Sequence, residues 1–270
     1  MGKKYQCMAT MKNISLILIL FSSVQLMSQT TNPTKASFQP GEKLSYKVSY
    51  FMSSVRTDLA GLEMNTINVP GKEKPIYRLE FNASTFSDMD NFAKIRHTYQ
   101  TWVDAATVKP LIMKQDSDIK GRTTKSKYSF KYKTKTAEIE VISSDAPTIN
   151  KKVVIADNTL DIVSLLYYLR NLDYETYKIG KTIPLSVLFL ERVLNIKVKY
   201  LGKETIDVEK QGKKVCYKLA LELDNDFVVK KNSNFLWLTA DNNRAPALIS
   251  ANFKEGEVLV KLTGTAGLKN

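Results

Sequence analysis

The sequence predicts a mainly β protein: an antiparallel curved sheet or half-barrel, with one amphipathic helix at about residues 160–172 covering its apolar face. Three observations carry that expectation. Apolar and polar residues alternate with period two in segment after segment, and turn-forming pairs stand between those segments. One stretch alone, NTLDIVSLLYYLRNLDYE at residues 158–175, spaces its apolar residues as a helix does.

Taken along the chain, KLSYKVSY puts Leu44, Tyr46, Val48 and Tyr50 on one face, and YRLEFNA does the same with Tyr77, Leu79, Phe81 and Ala83. In KIRHTYQTWV, His97 shares a face with Ile95, Tyr99 and Val103. The segment KSKYSFKYKTK sends Tyr128, Phe130 and Tyr132 one way and Lys127, Lys131, Lys133 and Lys135 the other, as an outer strand whose lysine face discourages edge pairing. IKVKYLG aligns Ile196, Val198 and Tyr200; KVCYKLALEL aligns Val215, Tyr217, Leu219, Leu221 and Leu223, with Cys216 on the opposite face. WLTADNNRAPALISANF reads as two strands joined at Asp241 to Arg244, whose charges pair across the turn. Pro70-Gly71, Lys120-Gly121 and Gln211-Gly212 mark further turns. Connections this short imply an antiparallel meander rather than βαβ units.

The helix is the exception. Ile162, Leu165, Leu166, Leu169 and Leu172 make one apolar stripe, Asp161 stands where it caps the amino end, and Arg170 falls in the last turn. A curved sheet with an open apolar face needs such a cover.

The first 28 residues are set apart. Lys12, the apolar run from Ile14 to Phe21 and small Ser28 follow the order of a secretory signal, and the run is too short and too interrupted to span a bilayer. Met11 is an alternative start. Residues 29–270 then form a single antiparallel β domain with no membrane span and one cysteine, Cys216, hence no internal disulfide. Three of the 40 basic residues and none of the 27 acidic ones fall in the removed segment, leaving a charge of +10. In an exported protein that balance points to anionic headgroups, acidic polysaccharide or simple solubility rather than nucleic acid. The alternation of KSKYSFKYKTK agrees, because a base stacked on its rings would not meet its lysines.

Motifs for chemistry are scarce. His97 is the one histidine, and no glycine-flanked serine accompanies it, so a Ser-His-Asp site has little to build on. One histidine and one cysteine do not make a zinc site, and no phosphate-cradling glycine loop is present; no metal or cofactor is expected. His97 reads as a partly buried, hydrogen-bonded strand residue, and Cys216 as a thiol covered by a neighbouring loop.

Four segments together resemble the exported bacterial proteins known as domain of unknown function 3108. They are FQPGEKLSYKVSY with Gly41-Glu42-Lys43-Leu44, LDIVSLLYYLRNL, VKYLGKETI and WLTADNNRAPALISANF. The family's small-residue repeat after the first strand is reduced here to Ala60-Gly61. The resemblance implies an antiparallel β half-barrel in the periplasm or cell envelope, and supplies no reaction.

The function expected is therefore that of a non-enzymatic envelope protein whose concave sheet binds a lipid or other apolar or amphiphilic ligand. Trp102, Tyr128, Phe130, Tyr132 and Trp237 on strands, with Tyr167 and Tyr168 on the helix, are the candidate lining. An interaction or structural module that docks an envelope protein without a pocket is the alternative, and a hydrolase the second alternative.

Overall fold

The computed structural model describes residues 36–52, 55–71, 73–209, 211–223, 234–253 and 256–269; the expected signal segment 1–28 lies outside them. The alternating segments become strands β1 (Lys43–Met52), β2 (Val55–Val69), β3 (Ile76–Thr85), β4 (Ile95–Asp104), β5 (Pro110–Ile119), β6 (Arg122–Lys131), β7 (Thr136–Ser143) and β8 (Ile149–Val154). After short β9 (Thr159–Asp161) come β10 (Thr182–Phe189), β11 (Arg192–Val208), β12 (Gly212–Leu223), β13 (Phe235–Thr239), β14 (Pro246–Phe253) and β15 (Gly256–Ala266). A four-residue helix α1 (Asp90–Ala93) precedes β4, and α2 (Ile162–Arg170) follows β9.

All the strands join one sheet, in the order β8-β7-β6-β5-β4-β3-β2-β1-β15-β14-β13-β12-β11-β10-β9. Chain neighbours pair antiparallel, as short connections require, and β1 closes on β15 with Tyr46 opposite Leu262. Only β9 runs parallel to its neighbour, with Leu188 of β10 opposite Asp161. The reduced Ala60-Gly61 repeat leaves the first hairpin intact, with Val48 opposite Ala60 and Lys47 opposite Gly61.

The sheet curls until its two ends overlap. The Tyr132 hydroxyl donates to the Thr159 carbonyl at 2.7 Å, and Lys151 Nζ donates to the Glu191 carbonyl at 3.1 Å. β10 is consequently buried on both faces. Leu185 and Val187 join the main core with α2, whereas Leu188 joins Met113, Tyr128, Phe130 and Ile139 in a second core. This also corrects the reading of KSKYSFKYKTK as an outer strand: β6 is paired on both sides, by β5 and β7, and the edge is β8. Tyr132 has already left the strand for a 3-10 turn.

Helix α2 threads the curl. Asp161 Oδ1 accepts from the Val163 and Ser164 amides at 2.9 and 2.7 Å, and Ser164 Oγ accepts from the Asp161 amide, a reciprocal cap. Val163, Ser164, Leu165, Leu166, Tyr167, Leu169 and Arg170 are all buried. Burial extends beyond the Ile162–Leu172 stripe because the overlapped sheet surrounds most of the helix, and Ile162 is exposed at its start.

Its far end is locked. Arg170, fully buried, makes a bidentate pair with Glu42 at 2.6 and 2.7 Å, and donates to the carbonyls of Asn243 and Ser37 at 2.9 and 3.1 Å. The turn expected to carry an Asp241–Arg244 ion pair is built differently. Asp241 Oδ1 accepts from Thr239 Oγ1 and from the amides of Asn243 and Arg244, while Arg244 Nη1 reaches Ser37 Oγ and the Arg170 carbonyl at 3.3 Å. The tail joins in, with the Lys269 amide donating to Asn243 Oδ1 and Gln39 Nε2 to the Gly267 carbonyl. This end of the curl is a polar base whose buried groups are mostly paired, Arg244 Nε being an exception.

Candidate functional site: an apolar cavity at the open end

Opposite the base lie the β3–β4, β5–β6, β7–β8 and β10–β11 connections, with the end of β1, the start of β2, the end of β14 and the start of β15. Because β9 runs parallel to β10, α2 starts at this open end, beside the β10–β11 turn, and ends at the base. Between its first turns and the concave face of β10–β14 is a cavity of about 630 Å³. Leu165 and Ile196 lie deep in it with Leu221 and Ile249; Ile162, Phe189, Leu190, Leu194 and Ala251 carry the lining outward. Arg192, Glu191, Asn234, Ser250 and Asn252 complete it. The apolar interior follows from strand alternation: Val187 faces Leu194 across β10–β11, and Leu236 faces Ile249 across β13–β14.

Two features near this end are strained or costly. The β10–β11 turn has Leu190 and Glu191 as its two central residues, both left-handed (φ 45° and 58°), where such turns favour asparagine and glycine. Lys151 holds the turn through the Glu191 carbonyl, and the Glu191 backbone also bonds the Tyr128 hydroxyl. Asp161, at the helix start, is fully buried; Oδ1 is satisfied but Oδ2 has no hydrogen-bond partner. Burial pushes its carboxyl up to about 6, against the Ser164 and Val163 amides and the nearby Thr101 and Ser164 hydroxyls, which favour the anion.

The seven aromatic candidates go elsewhere. Trp102 faces outward, under Arg78 and Lys114 at 6.0 and 5.5 Å. Trp237 sits beside Lys218, 5.0 Å from its ring, with Nε1 donating to Glu204 at 2.9 Å. Tyr128, Phe130 and Tyr132 do gather on the inner face, Phe130 stacked on Tyr132 at 6.1 Å, but Leu188 of β10 packs into the same cluster. Tyr167 is fully buried, its hydroxyl accepting from Thr66 Oγ1 and its ring edge-on to Phe38 at 4.7 Å. Tyr168 packs partly buried against the main core. None of the seven is among the residues lining the cavity.

The remaining reactive residues are quiet. His97 lies half-buried beside Tyr99, and burial lowers its pKa; the hydrogen-bonded site expected for it is corrected at Nδ1, which is buried without a partner. Cys216 is buried in the main core, its thiol pushed up to about 12, so thiolate is scarce there. Val215, expected on the apolar row, is instead exposed near the start of β12. Among the described residues no group of three His, Cys, Asp or Glu is placed to hold a metal, and no helix is long and apolar enough to cross a membrane.

A family model described as protein of unknown function DUF3108 matches residues 45–263. The chain belongs to the DUF3108 family. No curated protein matches it. Among solved structures, a β-barrel-like protein of the DUF1849 domain of unknown function, from Brucella abortus, shares the fold. It superposes with TM-score 0.57 at 11% identity, over 85% of this chain and 98% of that one. A Bacteroides fragilis protein, provisionally described as exported and YmcC-like in fold, gives TM-score 0.33 at 12% identity over 85% and 97%. One from Parabacteroides distasonis, provisionally described as a lipoprotein, gives 0.32 at 8% over 86% and 100%. The half-barrel of this DUF3108 chain is therefore shared architecture. Its cavity is built by a segment that the alternation argument passed over, TIPLSVLFLERVLNI at 182–196. The signal there is short: Val187-Leu188-Phe189-Leu190 is a consecutive apolar run, the mark of a strand buried on both faces.

Proposed function

We propose that this DUF3108 protein is an exported, non-enzymatic binder of an apolar or amphiphilic ligand, held in the open-end cavity. The cavity carries the reading. Its volume lies within the roughly 300–1,000 Å³ typical of small-molecule sites, and it pairs an apolar interior with a few polar groups toward one side. A ligand with an apolar body and a polar end fits that division, body against Leu165, Ile196, Leu221 and Ile249, polar end near Arg192 and Asn252. Export rests on the signal-like order of residues 1–28.

The test is native mass spectrometry of the protein purified from its own envelope, followed by organic extraction, on wild type and on Ala251→Trp, whose ring takes up part of the cavity and narrows it. A near-stoichiometric lipid that disappears in Ala251→Trp is the expected result. Wild-type protein that carries no lipid, and that also fails to bind a fluorescent long-chain fatty acid, sinks the proposal.

A further inference from the structure

Ten large apolar side chains are exposed among the described residues, and they are not spread evenly. Val55, Phe86, Ile119, Ile142 and Ile149 stand at or beside the β1–β2, β3–β4, β5–β6 and β7–β8 connections; Ile162 and Leu190 stand at the helix start and the β10–β11 turn. All seven are at the open end. Only Val154, Ile179 and Val215 are at the base end, where buried polar groups close the curl. Scattered single apolar residues need no explanation, but a ring of them around one end of a barrel is a surface.

From this ring we infer that the open end is a docking rim for a lipid bilayer surface. Three observations favour a bilayer over a protein partner. The described apolar residues sit on separate connections and strand ends around the perimeter, spaced as tips that dip among headgroups. The rim is continuous with the apolar cavity through Ile162 and Leu190, which belong to both, so cargo can pass between bilayer and cavity without crossing water. Exposed Lys94, Lys120 and Arg192 stand on the same tips, and no ion pair engages them among the described residues; cations beside apolar tips suit headgroups above acyl chains. Leu190 is telling: a leucine held in a left-handed turn, half-exposed, is poorly explained by folding alone.

The inference adds a partner to the cavity reading and does not depend on it. Its test is vesicle flotation with phosphatidylcholine, alone and mixed with phosphatidylglycerol. Wild type is compared with a rim variant (Val55→Asp, Ile119→Asp, Leu190→Asp) and a base variant (Val154→Asp, Ile179→Asp, Val215→Asp). All carry the same N-terminal residues, so any binding by the apolar run at 14–21 cancels. All six positions are exposed, and circular dichroism checks that each variant folds. The rim variant should lose vesicle binding by about tenfold or more while the base variant stays near wild type. Absence of wild-type binding, or equal loss in both variants, overturns the inference. So does a wild-type dimer, seen by light scattering, that the rim variant breaks while vesicles bind neither. Ala251→Trp keeps the readings apart: it should still float with vesicles, whether or not the cavity holds a ligand.

Discussion

Arg170→Met should be among the most damaging single changes in the protein. The substitution removes both bonds to Glu42 and leaves that carboxylate buried at 1% exposure without its cation. Breaking a buried pair from one side costs about 3–5 kcal/mol. The carbonyls of Ser37 and Asn243 also lose the guanidinium, adding roughly 1–3 kcal/mol of unmet desolvation. The sum, about 4–8 kcal/mol, is comparable to the ~5–15 kcal/mol total stability of an ordinary domain. At 2–4 °C per kcal/mol, the melting point should fall by roughly 10–25 °C. The double variant Glu42→Leu/Arg170→Met removes the stranded charge but not the stranded carbonyls, so it should lose only about 1–3 kcal/mol. Urea unfolding followed by circular dichroism on wild type, both singles and the double gives the coupling directly. A double variant as unstable as Arg170→Met would refute the charge argument. An Arg170→Met loss below about 1 kcal/mol would refute the claim that this pair holds the base.

Two further outcomes are expected. Asp161 has its folded pKa raised to about 6, so its contribution to stability is full below about pH 4 and is lost as pH rises through about 6. Wild type should therefore gain about 1–1.5 kcal/mol of stability between pH 7.5 and 5 relative to Asp161→Asn, which keeps a capping side chain but cannot titrate; the difference is read from paired urea melts. Replacing Leu190-Glu191 by Asn-Gly should raise stability by about 1–2 kcal/mol, because both residues sit in the left-handed region, and should weaken vesicle flotation at the same time.

How far the sequence could be read depended on which residues obeyed a period. Alternation in KLSYKVSY, YRLEFNA and IKVKYLG located strands β1, β3 and β11 because each presents one face to the core and one to water. The helix was equally plain from Ile162 to Leu172, and Asp161 as its cap followed from chemistry local to the sequence. What failed was anything set by the overlap of the sheet's ends. That overlap buries the back of α2, places β6 inside rather than at an edge, and packs Leu188 against Tyr128 and Phe130. No local pattern encodes a contact between residues 58 or more positions apart. The same limit hid the partner of Arg170, which lies 128 residues away at Glu42.

The misplaced lining has a more specific cause. Aromatic rings on a strand suggest a binding face, yet rings bring large surfaces and polar edges that fill space and find partners. Tyr132 reaches the Thr159 carbonyl, Tyr167 meets Thr66, and Trp237 donates to Glu204: each ring closes a gap in the packing. A cavity persists where side chains do not reach across, and here most of the lining is Leu, Ile, Val and Ala, with Phe189 and Phe235 the two rings among it. In this half-barrel Leu188 of β10 packs against Tyr128 and Phe130, and the mainly aliphatic space beside the first turns of α2 stays open. That difference in reach is the physical basis of the cavity, which is why Ala251→Trp, a single large ring put among mainly aliphatic side chains, is the substitution expected to narrow it.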